Sequence, residues 1–201
     1  YAVVSYQTAY LKYYYPVEFM AALMTSVIDN STKVTEYIMS CRGMGIDILP
    51  PDVNSSQARF SVQNGAIRFA LTALKSVGRP VITAIVNERE NRGLYTTLED
   101  FITRTSEYDV NKRVIENLIK AGAFDSIPGT RKQLMSVYVS LVEHLVKDKK
   151  NNMAGQMSLF DLAQEEDKDS FEIPLPNVGE YSKEVLLAFE KEVVGVYISG
   201  H

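Results

Sequence analysis

Leu71-Thr-Ala-Leu-Lys-Ser-Val-Gly-Arg-Pro-Val-Ile-Thr-Ala-Ile-Val-Asn-Glu-Arg-Glu-Asn91 is the stretch on which the fold turns. A short turn over 71–74 leads into Lys75-Ser-Val-Gly78. Pro80 then suits the first position of a helix, where its fixed φ is already helical and its missing N–H would have had no partner. That helix predicts an end near Asn91, before Gly93. The arrangement returns downstream. Asn111 caps a helix over 112–121 that stops at Gly122, and Thr130 caps a long helix over 131–149. Leu134, Val137, Leu141 and Leu145 share one face of it. Two helix–Gly-turn–helix units result, at 71–91 and 112–147, with no fixed-period repeat.

Outward from these units the signals are local. Thr97 with Asp100 resembles a capping arrangement for a helix ending near Arg104. Upstream, apolar spacing predicts helices over 2–15 (stopped by Pro16), 17–27 and 33–42, the last capped by Ser31 or Thr32 and ended by Gly43 and Gly45. A short strand at 46–49 closes at Pro50-Pro51. The β-prone runs 59–63 and 66–69 are joined by Asn64-Gly65, the strongest short hairpin signal. Downstream, 148–180 turns polar and acidic, with Pro174 and Pro176, and reads as a flexible linker. A last helix over 183–193 follows Ser182. The fold class is mainly α with a small antiparallel β element.

The chain has 201 residues, 46% hydrophobic and 23% charged, enough for a core without staples. One cysteine, Cys41, excludes an internal disulfide framework, and two histidines, His144 and His201, leave zinc few ligands. No apolar run would span a bilayer and no signal-peptide pattern opens the chain. The expectation is an excised piece of a longer, intracellular, cytoplasmic protein with no membrane partner. The net charge of −4 is unevenly spread: −1 over 1–65, +4 over 66–150 and −7 over 151–201. Only the middle segment suits a polyanion.

Each helix–Gly-turn–helix unit can serve as a DNA-binding element. A tight hairpin lets backbone approach phosphate, and N–H groups at the next helix start face the anion. Lys75, Ser76, Val77, Gly78 and Arg79 form the first candidate; Lys120, Ala121, Gly122 and Ala123 form the second, with Arg131 and Lys132 further on. Phosphate contacts of this kind carry no base information. Plain helical hairpins, which also end in glycine, stand as the alternative. Gln156-Met-Ser-Leu-Phe160 is an isolated apolar cluster in the polar linker. It reads either as a docking peptide, with Gln156 hydrogen-bonding and Leu159 and Phe160 filling a pocket, or as a segment folded back on its own domain. Asp167-Lys-Asp169 has metal-pair spacing but no rigid platform. Gly43-Met-Gly45 is a turn, and neither histidine has a triad partner. The N-terminal tyrosines read as core residues rather than a stacking platform, and in an excised segment the helix over 1–15 is expected to expose that apolar face. No catalytic or metal-binding residue is assigned.

As strings, Tyr1-Ala-Val-Val-Ser-Tyr-Gln-Thr-Ala-Tyr-Leu-Lys12, Tyr15-Pro-Val-Glu-Phe-Met-Ala-Ala22 and Met44-Gly-Ile-Asp-Ile-Leu-Pro-Pro-Asp-Val-Asn54 resemble the C-family replicative polymerases, the bacterial DNA polymerase III α subunits. Ala73-Leu-Lys-Ser-Val-Gly78, Leu118-Ile-Lys-Ala-Gly-Ala-Phe-Asp125 and Val194-Gly-Val-Tyr-Ile-Ser-Gly-His201 match the same family in the same order. The resemblance is weakest over 148–180. It implies that 1–68 is the end of a fingers domain, 69–147 a tandem helix-hairpin-helix domain on duplex DNA, and 148–180 the linker. Residues 181–201 would lead into an OB fold outside the chain. Gln156, Met157, Ser158, Leu159 and Phe160 fall where the family binds its β sliding clamp. Lys12 is a candidate neighbour of the incoming nucleotide. The palm carboxylates, with Mg²⁺ and dNTPs, belong upstream, so DNA-directed DNA polymerase activity is expected of the parent and not of this segment. Primer-template DNA, the clamp and other replicase subunits are the implied partners. The first hairpin departs from the family's Gly-hydrophobic-Gly in having Ser76 at the first position. The competing reading is a stand-alone, non-catalytic DNA-binding and interaction module.

Overall fold

The computed structural model describes residues 1–108, 110–153 and 173–198. Its helices are α1 (Ala2–Tyr14), α2 (Pro16–Ser26), α3 (Ser31–Gly43), α4 (Arg79–Arg92), α5 (Leu98–Thr105), α6 (Lys112–Lys120), α7 (Arg131–Met153) and α8 (Lys183–Val193). Strands β1 (Ile48–Leu49), β2 (Ser61–Gln63) and β3 (Ala66–Arg68) lie between α3 and a 3₁₀ turn at Leu71–Ala73.

Local chemistry accounts for most of the boundaries. The Asn111 side chain accepts from Val114 N–H at 3.1 Å, and Thr97 Oγ1 from Asp100 N–H at 3.0 Å. Thr130 and Gln133 make a reciprocal box: Gln133 N–H donates to Thr130 Oγ1 at 3.2 Å and Thr130 N–H to Gln133 Oε1 at 2.9 Å. The α3 cap is Asn30, which accepts from Lys33 N–H at 3.1 Å, in place of the expected Ser31 or Thr32. The Asn30 carbonyl accepts from Val34 N–H at 2.9 Å, so the helix begins at Ser31, two residues before the expected start at 33.

The Asn64-Gly65 turn has both residues at positive φ, 51° and 78°, the geometry that matches strand twist in a two-residue hairpin. β2 and β3 pair antiparallel with Val62 opposite Ile67. β1 joins on the other side of β3 in parallel, with Ile48 opposite Ile67, so the small sheet is mixed. A parallel partner arrives by a long connection and leaves no short-range signal.

One hydrophobic core runs from the first helices through the hairpins. Met24, Ile38, Ile67, Phe69, Leu71, Ile85, Phe101 and Phe124 are all fully enclosed in it. The expected boundary at 68–69 falls inside this core. Val53 N–H donates to Ala123 O at 2.8 Å, and buried Arg89 donates to Val53 O at 2.9 Å and Ser56 O at 2.7 Å. Tyr95, Phe101 and Phe124 form a chain of edge-to-face contacts, each with centroids 4.9 Å apart. The Tyr95 hydroxyl donates to Ile85 O at 2.7 Å, and burial pushes its phenol up to about 12.

The expected linker is not loose at its described end. Ile173 packs against the core, and the Pro176 carbonyl accepts from Gln133 Nε2 at 2.9 Å. α1 lies at the opposite extreme. None of its residues is buried, and the tyrosines read as core residues are outside, with Tyr6 at 70%, Tyr10 at 43% and Tyr13 at 78% exposure. The tyrosine rings lie against one another, Tyr10 and Tyr14 having centroids 4.5 Å apart. A helix of this length without a buried face has little besides local bonds to hold it. Hydrogen exchange by mass spectrometry should find 1–15 the least protected described helix; protection equal to that of α4 and α6 would contradict this.

Candidate nucleic-acid interface

The first hairpin connects the 3₁₀ turn to α4. Ser76 sits at φ 62°, a left-handed conformation uncommon for a residue with a side chain. It therefore supplies the geometry expected of a glycine at this position. Val77 turns inward and is buried, whereas Lys75, Ser76, Gly78 and Arg79 are exposed. Gly78, at φ −71° and ψ 146°, is the N-cap of α4. The N–H groups of Ser76, Val77, Gly78 and Arg79 donate to no acceptor among the described residues. They are open donors beside a helix start, the arrangement that receives an anion.

α6 brings further basic groups to this hairpin. Lys75, Ser76, Arg113 and Lys120 line an open hollow of about 570 Å³ together with Glu116 and Glu192. Arg113 approaches Ser76 Oγ at 3.5 Å, and Asn117 Nδ2 donates to Lys75 O at 3.2 Å, fixing the hairpin to α6. Lys75 and Arg113 have no carboxylate partner among the described residues. The other cations are engaged: Lys112 with Glu143 at 2.7 Å, Lys120 with Glu116 at 3.0 Å and Glu192 at 2.9 Å, and Arg79 with Asp29 at 2.6 Å. Sequence reading passed over Arg113. Its signal was a pair of basic residues in the first turn of a helix, where the dipole disfavours them.

The second hairpin is built differently. Ala121, Gly122 and Ala123 are buried, not exposed. Gly122 N–H donates to Ile119 O at 3.0 Å and Ala123 N–H to Leu118 O at 2.9 Å, the bonding pattern of a Schellman helix stop. Gly122 has φ 75°, and a Cβ there would overlap the Arg131 guanidinium. Arg131 donates to both Asp125 carboxylate oxygens, at 3.0 and 2.7 Å, and its NH1 lies 3.5 Å from Glu190 Oε1. Burial opposes its charge, but the bond to Asp125 and the nearby Glu190 and Glu180 hold its pKa above the ordinary arginine value. The N-terminus of α7 is closed as well, since Glu180 accepts from Arg131 N–H at 2.8 Å and Lys132 N–H at 3.1 Å. The backbone approach expected at Ala121–Ala123 is therefore taken up inside the chain.

Lys12 is exposed on the last turn of α1. Gln156, Met157, Ser158, Leu159 and Phe160 lie outside the described residues. Among the described residues no helix is long and apolar enough to cross a membrane, and no group of three His, Cys, Asp or Glu residues could hold a metal ion.

Residues 45–134, which carry both hairpins, match the helix-hairpin-helix motif family, and this is the class the fold and the hollow define. The whole chain is 41% identical to part of the DNA polymerase III subunit alpha of Borreliella burgdorferi, 41% to that of Thermus aquaticus and 40% to that of Saccharopolyspora erythraea. Across its full length the chain is therefore similar to a segment of DNA polymerase III alpha subunits. It spans 18%, 16% and 17% of those three proteins.

The two hairpin glycines should respond oppositely to substitution. At Gly78 a Cβ meets only Pro80 Cδ at 3.8 Å, so Gly78→Ala should leave the melting temperature within a few degrees. At Gly122 the positive φ costs about 1–2 kcal/mol and the displaced ion pair adds more, so Gly122→Ala should destabilise by about 3 kcal/mol or more in urea titration. Equal stability of the two variants would refute this account of the second hairpin.

Proposed function

We propose that this chain is the segment of a replicative DNA polymerase that holds the primer-template duplex by its phosphates and links the enzyme to its sliding clamp. The observation that carries the reading is the set of open N–H groups at 76–79 with Lys75 and Arg113 beside them. Backbone donors recognise phosphate without regard to base, as a polymerase moving along any sequence requires. The first hairpin does the gripping, while the second, internally satisfied, is the scaffold that presents α6. Lys120 adds to the field of the hollow through a charge shared with Glu116 and Glu192.

The relatives' shared name supports nucleotidyl transfer in the whole protein. On this reading Mg²⁺ and dNTPs are bound by a palm elsewhere in that protein, with Lys12 reaching toward the nucleotide from the fingers side. Gln156–Phe160 fits a clamp-docking peptide: Gln156 orients it, and Leu159 and Phe160 supply the buried area that dominates such contacts.

The duplex reading is tested by fluorescence anisotropy with two unrelated duplexes across a salt series. Similar affinities and a steep negative dependence on salt are expected, and Lys75→Ala and Arg113→Ala should each flatten the slope by about one contact. Binding insensitive to salt or to both changes would return the hairpins to a purely structural role. The clamp reading is tested by titrating the β clamp of the same organism with a peptide of residues 152–164. Leu159→Ala/Phe160→Ala should weaken it by tenfold or more, and equal affinity would dismiss the docking role.

A further inference from the structure

The C-terminal segment 190–198 contributes Glu192 and Val193 to the hollow and is bonded to the elements on either side of it. Val193 O accepts from Lys75 N–H at 2.9 Å, so the first hairpin is bonded to the end of α8. One residue earlier, Glu192 pairs with Lys120 of α6 at 2.9 Å. Two residues earlier again, Glu190, 1% exposed, faces Arg131 of the second hairpin and accepts from Ile198 N–H at 3.0 Å. The last bond folds 194–198 back beneath α8, where Val194, Val196 and Ile198 are buried. The far end is tied to α3, because Arg42 donates to Tyr197 O.

These contacts reach hairpin one, α6, hairpin two and α3 in turn. From them we propose that 190–198 is a brace of the DNA-binding unit itself, with Glu190 as the positioning residue that sets the spacing between the first hairpin and α6. The inference rests on the duplex reading above. A cradle made of backbone N–H groups on one element and Arg113 on another binds a phosphate only when the two stay within hydrogen-bond reach together. Asn117 secures one side of that spacing, and the Val193–Lys75 bond secures the other. Glu190 determines whether the end of α8 is held where Val193 can make that bond. It does so by neutralising part of the buried Arg131 charge while capping the returning chain at Ile198. Its role is thus mechanical, and it touches no ligand.

The test uses the whole 201-residue chain. Glu190→Gln keeps the volume and an acceptor for Ile198 but removes the charge facing Arg131. At a temperature well below its melting point, it should bind duplex DNA about three- to tenfold more weakly, with a salt slope about one contact shallower. In the same variant, the Lys75 amide should exchange at least several-fold faster while the α4 core amides keep their protection. Arg42→Ala loosens the other end of the brace from a site outside the hollow, and should weaken duplex binding in the same direction. Lys33→Ala, which removes an equal charge from the same helix outside the brace, should not. If Glu190→Gln does not fold, the Arg42/Lys33 pair decides. Unchanged affinity, slope and Lys75 exchange in Glu190→Gln, or equal effects of Arg42→Ala and Lys33→Ala, overturn the brace. If the unmodified chain shows no salt-dependent duplex binding, or Lys75→Ala and Arg113→Ala both leave it unchanged, the duplex reading fails instead.

Discussion

The Arg131 guanidinium occupies the space that a side chain at position 122 would fill, and much of the molecule is arranged around that fact. A buried arginine is costly unless its charge is matched and its donors are used. Here Asp125 takes a two-point contact, Glu190 stands across from NH1, and the Lys120 carbonyl receives a long bond at 3.4 Å. These partners come from the end of α6, the turn after it and α8. The charge can be buried only when all three have assembled, so it ties the local helix stop to the tertiary fold. Gly122 is essential twice over, for its left-handed φ and for the missing Cβ.

This arrangement explains why two hairpins that look alike are not equivalent. In the second, the Schellman bonds at Gly122 and Ala123 and the Glu180 cap at Arg131 and Lys132 engage the donors a phosphate would use. In the first, Ser76 makes the tight turn, and no corresponding carboxylate reaches the N–H groups of 76–79 among the described residues. An unpaired backbone donor is tolerated only at a surface, where water or a ligand completes it. The exposed first hairpin meets that condition and the buried second one does not. On the proposed function, the division between a gripping and a scaffolding hairpin follows from burial.

The sequence disclosed what is encoded locally. Asn64-Gly65, Gly93 and the caps at Thr97, Asn111 and Thr130 each act within four residues, and the structure places them as read, while Pro80 falls on the second residue of α4, one position later than its fixed φ suggested. It concealed what depends on distant partners. The parallel pairing of β1 with β3 and the docking of Pro176 and Glu180 on α7 have no short-range signature. Position 122 shows the limit well: a glycine after an apolar helix signals a left-handed stop, but whether the turn faces solvent or an arginine nine residues on is decided by tertiary packing. The tyrosines of α1 mark a further limit. Helical spacing of large rings suggests a core face, yet spacing says only that a face exists, not that anything covers it.

The charge distribution takes on its meaning from the same contacts. The segment 66–150 carries +4 and 151–201 carries −7, which on paper makes a basic unit beside an acidic tail. In the structure three of the tail's described carboxylates lie on the unit: Glu180 on the α7 amides, Glu190 on Arg131, Glu192 on Lys120. Of the cations lining the hollow, Lys75 and Arg113 keep no carboxylate partner among the described residues. At physiological salt, charges separated by more than about 8 Å barely sense one another. On the proposed function, a chain with net charge −4 would hold a polyanion by a small, correctly spaced cradle instead of by a diffuse surface field, a grip weak enough at any one phosphate to be released and re-made at the next.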